Sequence, residues 1–177
     1  MTYILAHFLV PVILVSLYAY FKHKKISPKL LFWAGLSGLV PDIDTIGYIV
    51  NVGIVHRGFI HTPLLGLVFL IPGIILWKAR ADKIYKPQWR GAVGLVLILL
   101  ASGIFIHLLL DSFFITNFQT DAIMVFYPLS EARFGIQALT ASSELFVGLI
   151  IEAAVLVIWL IQFIVLRRKN DYSTEFS

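Results

Sequence analysis

Apolar residues run through this chain in long blocks, and polar residues are confined to the gaps between them. Thr2 to Phe21 is about the 20 residues a helix needs to cross a bilayer, and Lys22, His23, Lys24, Lys25 and Lys29 follow it. No basic stretch precedes this block and no small-residue cleavage site follows it, so it reads as a retained helix rather than a signal peptide. Leu30 to Val40 is a second block, short for a crossing and stopped at Pro41. Pro63 to Trp77 is a third, with Thr62 as N-cap, Pro63 at the first helical position, and a kink expected at Pro72 and Gly73. Gly91 to Leu110 is the clearest span. Leu145 to Leu166 is the last, closed by Arg167, Arg168 and Lys169. Ile46 to Val55 is apolar but too short to span, which suits a re-entrant or interfacial segment. Ser112 to Ala141 is the longest stretch that does not span. The pattern predicts an all-α, polytopic membrane helix bundle of about five transmembrane helices plus that short segment. The expected spans are near 2–21, 30–41, 62–77, 91–111 and 145–166, in a single integral membrane domain over 1–177.

Composition agrees with the pattern. Of 177 residues, 59% are hydrophobic and 14% charged, against about 25% charged in an average globular domain. The lack of cysteine excludes disulfides and thiolate-bound zinc, so any metal must take nitrogen and oxygen ligands. The net charge of +4 raises the question of nucleic acid, but the basic residues are placed as membrane flanks instead. All the Lys and Arg residues except Arg57 and Arg133 lie after the first and third blocks or after the last one. The positive-inside rule therefore puts the N-terminus outside and the C-terminus in the cytoplasm of a plasma (inner) membrane. The bilayer is the one partner this implies directly. Oligomeric state is left open.

That orientation, drawn from Lys and Arg alone, has a consequence for the other polar residues. His7, Asp42, Asp44, His56, His61, His107 and Asp111 all fall at the outer ends of their segments, where uncompensated charge is costly. His107 and Asp111 are four apart and share one face of a helix. Their bland alternative is a His–Asp hydrogen bond tying helices together. Asp42 and Asp44 alternate after Pro41 and so point the same way. They follow a helix C-terminus, where the macrodipole favours a cation. His56 and His61 are five apart and cannot share a helical face, but Gly58 lets the chain turn between them. His61 and Thr62 open a helix, whose free N–H groups suit an anion such as phosphate. Arg57 and Arg133, the outer basic residues, could clamp that anion, or else snorkel to headgroups. Glu152 lies deeper in the last block and needs a partner that the sequence does not name.

The residues Ala6-His7, Leu39-Val-Pro-Asp-Ile-Asp44, His56-Arg-Gly-Phe-Ile-His-Thr62 and His107-Leu-Leu-Leu-Asp111 resemble the YdjM-like family over roughly residues 5 to 135. That family is one of inner-membrane proteins described as metal-dependent hydrolases. Thr45, and Thr62-Pro63 where the family commonly has Ser, depart from its pattern; neither replaces an expected ligand. Residues and resemblance together give an expected enzyme: a membrane-embedded hydrolase with one or two divalent ions, zinc foremost. The ligand candidates are His7, Asp42, Asp44, His56, His61, His107 and Asp111. Asp42 or Asp44 would be the catalytic base, and Arg57 and Arg133 would bind an amphiphilic or phosphate-containing substrate such as a phospholipid. Two other classes fit the same residues: a transporter or ion-handling protein with a broken-helix ion site, and a non-catalytic assembly protein whose histidines and aspartates only tie helix ends.

Overall fold

The computed structural model describes residues 3–22, 27–43, 58–79, 89–113, 122–127, 129–130, 132–136 and 141–173. Among these, the chain forms five α-helices and no strands: α1 (Ile4–Phe21), α2 (Pro28–Leu39), α3 (Pro63–Ala79), α4 (Trp89–Phe113) and α5 (Ala141–Ser173). A single 3-10 turn, Phe59–His61, leads into α3. The Ile46–Val55 segment lies outside the described residues.

Three helices carry stretches long and apolar enough to cross a membrane: Ile4–Phe21, Arg90–Phe113 and Phe146–Leu166. Pro63–Ala79 is a shorter apolar helix. With 12 residues, α2 is only about 18 Å long, well short of a bilayer core of about 30 Å. It starts cleanly: the Ser27 hydroxyl accepts from the Leu30 N–H at 3.3 Å and Pro28 takes the first helical position. Its buried face is Ala34, Gly35, Ser37 and Gly38. Side chains this small let three backbones approach closely, the packing that holds helices together in lipid. The Phe8 ring lies where a side chain on Gly35 would go, and Gly103 of α4 is open for Ser37. So α2 is a wedge between α1 and α4.

The α3–α4 pair is joined by the same device. Gly73 faces Leu97 and Ile98, while Gly94 faces the backbone at Gly73 and Trp77. Pro72 is accommodated inside α3. Beside the pair, Ile104, Leu108 and Ile123 form a buried cluster with Val40, Leu65, Phe69 and Val125 against it.

The last helix rests against the first. The Glu152 carboxylate accepts from the Leu5 N–H at 3.0 Å, and the Gln162 amide donates to the Ile13 carbonyl at 3.1 Å. Positions rise together along both helices, so α1 and α5 run parallel. The partner that Glu152 requires is thus a backbone amide in the first turn of α1. That turn has no side-chain cap of its own, and an acidic group there also meets the positive end of the helix dipole. Replacing Glu152 by Leu leaves that amide without its acceptor. Thermal unfolding in detergent should show a loss of about 1–3 kcal/mol, and Glu152→Gln, which keeps an acceptor oxygen, should recover most of it.

Candidate metal centre

Four helix ends deliver polar side chains to one place. His7 stands in the second turn of α1 and Asp42 just after α2. His61 closes the 3-10 turn before α3, and His107 and Asp111 lie on the last turns of α4. His61 and His107 have no exposed surface, and His7 and Asp111 are buried. Asp42, with 18% of its side chain accessible, is the one partly open to solvent.

The imidazoles are oriented by main-chain carbonyls. His7 Nδ1 donates to the Tyr3 carbonyl at 2.8 Å, and His107 Nδ1 donates to the Gly38 carbonyl at 2.7 Å. A ring held this way presents Nε2 as a lone pair when neutral, the usual arrangement behind a metal-binding histidine. Those Nε2 atoms point at carboxylates and at each other. His7 Nε2 lies 3.2 Å from Asp111 Oδ1, yet it has no hydrogen-bond partner although buried. His107 Nε2 is 3.5 Å from Asp111 Oδ2 and 3.7 Å from Asp42 Oδ1. His61 Nε2 is 3.9 Å from each of the same two oxygens and 3.3 Å from His107 Nε2. The His7 and His107 rings are 4.1 Å apart between centroids.

Two sets could each hold a metal ion: His7, His107 and Asp111, and Asp42, His61 and His107. A tetrahedral zinc with bonds of about 2.0–2.1 Å spaces its ligand atoms about 3.3 Å apart, close to the separations seen here. The residues also fit a cation electrically. Two carboxylates in a buried apolar setting need compensation, and a dication between them supplies it. Both sets use the same His107 nitrogen, since its Nδ1 is committed to Gly38. One nitrogen binds one ion, so the two sets could not both be filled as they stand; Asp111 faces His7 with one oxygen and His61 and His107 with the other.

Of the remaining expected site residues, Asp44, His56 and Arg57 lie outside the described residues. Arg133 donates from Nη1 to the Ala122 carbonyl at 3.4 Å, within its own segment. Tyr3 and Gly38 were not on the sequence-derived list. Their contribution is a backbone carbonyl, which residue type does not reveal. Thr62, immediately before α3, donates its hydroxyl to the Phe59 carbonyl at 2.8 Å and so stiffens the turn that carries His61.

Gly38 is where α1, α2 and α4 meet. Pro11 has no N–H to give the carbonyl four residues earlier, that of His7. A side chain on Gly38 would strike this same His7 carbonyl and press on Pro11. The absent side chain lets α2 sit against α1, while its own carbonyl holds His107.

A family model described as YdjM inner membrane protein matches residues 1–171. No curated protein and no solved structure matches the chain.

The Gly38 contact gives a sharp test. Gly38→Ala should lower stability by about 1–3 kcal/mol in detergent unfolding, while Gly91→Ala, half-buried at the far end of α4, serves as the comparison. An unchanged melting temperature in Gly38→Ala would show that α1 and α2 do not approach as described.

Proposed function

The chain belongs to this family of inner membrane proteins, and on that footing we propose that it is a membrane-embedded, metal-dependent hydrolase acting on an amphiphilic phosphate ester. The observation that carries the reading is the cluster itself. His7 and His107 have Nδ1 fixed by backbone carbonyls and Nε2 turned toward the buried carboxylate of Asp111. Such a set has ligand atoms in place, a preset tautomer and one accessible edge at Asp42.

A divalent ion held by His61, His107 and the carboxylates of Asp42 and Asp111, zinc foremost, would supply Lewis acidity and make water acidic enough to attack near neutral pH. His7 Nε2, a lone pair facing the other oxygen of Asp111, is the ligand candidate of the alternative set with His107 and Asp111. Asp44, or Asp42 if it is not committed to the metal, would take the proton from the attacking water. A second ion would need ligands beyond those described here, with His56 and Asp44 the candidates. Arg57 and Arg133 favour phosphate over carboxylic esters. A guanidinium has five N–H donors, and the bond to Ala122 accounts for only one of those on Arg133.

The site faces away from the cytoplasm. Lys22 ends α1, Lys78 ends α3 and Arg90 starts α4, all at the helix ends opposite the cluster. The positive-inside rule assigns that basic face to the cytoplasm.

A non-catalytic reading draws on one contact: a proton shared between His61 Nε2 and His107 Nε2, 3.3 Å apart, would tie α4 to the turn before α3 without metal. Elemental analysis of gently purified protein separates the two. The hydrolase reading expects about one divalent ion per chain and a melting temperature lowered by chelator. It also expects phosphodiesterase turnover that falls at least about 100-fold in His61→Ala and Asp111→Ala, since loss of an outer-shell partner alone typically costs 10–100-fold. Metal-free protein with chelator-insensitive melting would leave only the structural tie.

A further inference from the structure

The parallel contact of α1 and α5 fixes the height of the cluster in the membrane. The apolar window of α5 is Phe146–Leu166, and Glu152, level with Leu5 of α1, lies about 9 Å inside it along the axis. Phe146, Leu149 and Ile150 stand beyond the first turn of α1 and are exposed. The cluster that includes His7 is therefore deeper along α5 than the start of its apolar window, a position that an apolar border suits.

The stretch between α4 and α5 has that character. Its described residues between 122 and 136 are not helical. Ile123 and Phe134 exchange backbone hydrogen bonds of 3.0 and 2.9 Å, and the Ile136 N–H donates to the Ser112 carbonyl at 2.8 Å, one residue past Asp111. On the inner side Ala122, Ile123 and Met124 are buried, with Ile123 packed in the cluster of Ile104 and Leu108. On the other side Phe126, Leu129, Phe134 and Ile136 are exposed, Leu129 at 91%. The Phe126 and Phe134 rings meet edge-on at 5.9 Å, so these two exposed rings form one apolar patch. Leu109 and Phe113, on the last turns of a spanning helix beside the Ile136–Ser112 bond, are exposed apolar residues as well. Irregular backbone is tolerated near hydrocarbon only when its polar groups are bonded internally. Here the Tyr127, Leu129 and Ser130 amides all donate to nearby carbonyls.

We propose that this stretch is a roof seated among the acyl chains of the leaflet nearest the cluster, with lipid as the occupant of its exposed apolar face. Phe126, Leu129, Phe134 and Ile136 extend the lipid-facing belt of α4 over the end of the bundle. If the hydrolase reading above is right, the substrate is a lipid that enters from that leaflet; the placement of the roof does not depend on that reading.

The lack of cysteine makes the test direct. Leu129→Cys and, separately, Ile136→Cys are labelled with a nitroxide, and the protein is reconstituted in phosphatidylcholine–phosphatidylglycerol vesicles. Collisions with oxygen and with a water-soluble nickel chelate are then compared. Ile161→Cys, on the exposed face of α5, sets the lipid standard, and Lys22→Cys sets the interfacial one. The expected result is oxygen favoured over nickel at both roof positions, in the order found at Ile161→Cys. Nickel collisions at the roof equal to or above those at Lys22→Cys would overturn the proposal. So would spin–spin broadening that places a second copy against it. The readout needs neither metal nor turnover, so it can fail while the metal centre stands, and the reverse.

Discussion

Two carboxylates sunk among apolar helices set the terms for the rest of this molecule. Asp42 and Asp111 cannot be left uncompensated there, and two of the three imidazoles facing them are held so that they cannot turn away. The holding groups at His7 and His107 are main-chain carbonyls, which do not titrate and do not swing. This places the demand for precision on the backbone rather than on side-chain rotamers. The small residues of α2 answer it. Ala34, Gly35 and Gly38 let α1 and α4 approach until a carbonyl on the wedge reaches a ring on α4.

Much of the architecture could be read from hydropathy, because a helix in lipid must bond its own backbone and hide it behind apolar side chains. The five helices and the order of their ends follow from that rule. Charge placement and the alternation of helix direction explain why His7, Asp42, His61, His107 and Asp111 approach one end of the bundle. Their pairing is another matter. Which oxygen of Asp111 faces His7, and that His107 is shared by two ligand sets, depend on rotamers and on crossings that residue type does not encode.

Other features were out of reach for related reasons. Nothing about Tyr3 or Gly38 as residues signals a hydrogen bond from a histidine, since every residue has a carbonyl. The sequence marks Glu152 as a charge in need of a partner, but the partner is an amide 147 positions away. The second apolar block looked short for a crossing, and it proves to be a wedge, a role defined by what lies on either side of it. Arg133 carries a charge suited to an anion, while its observed bond runs to Ala122 in its own segment.

The contact between α5 and α1 also bears on how the bundle is made. α5 leaves the ribosome after α1 to α4, so the carboxylate that meets the first turn of α1 arrives only after those four helices have been made. Until then the Leu5 amide must find a stand-in, and the segment bearing His7 lacks one of its anchors. Joining α5 to α1 is thus a later step in biogenesis than inserting α1, and a nascent protein would pass through the membrane machinery with its polar centre still unfinished.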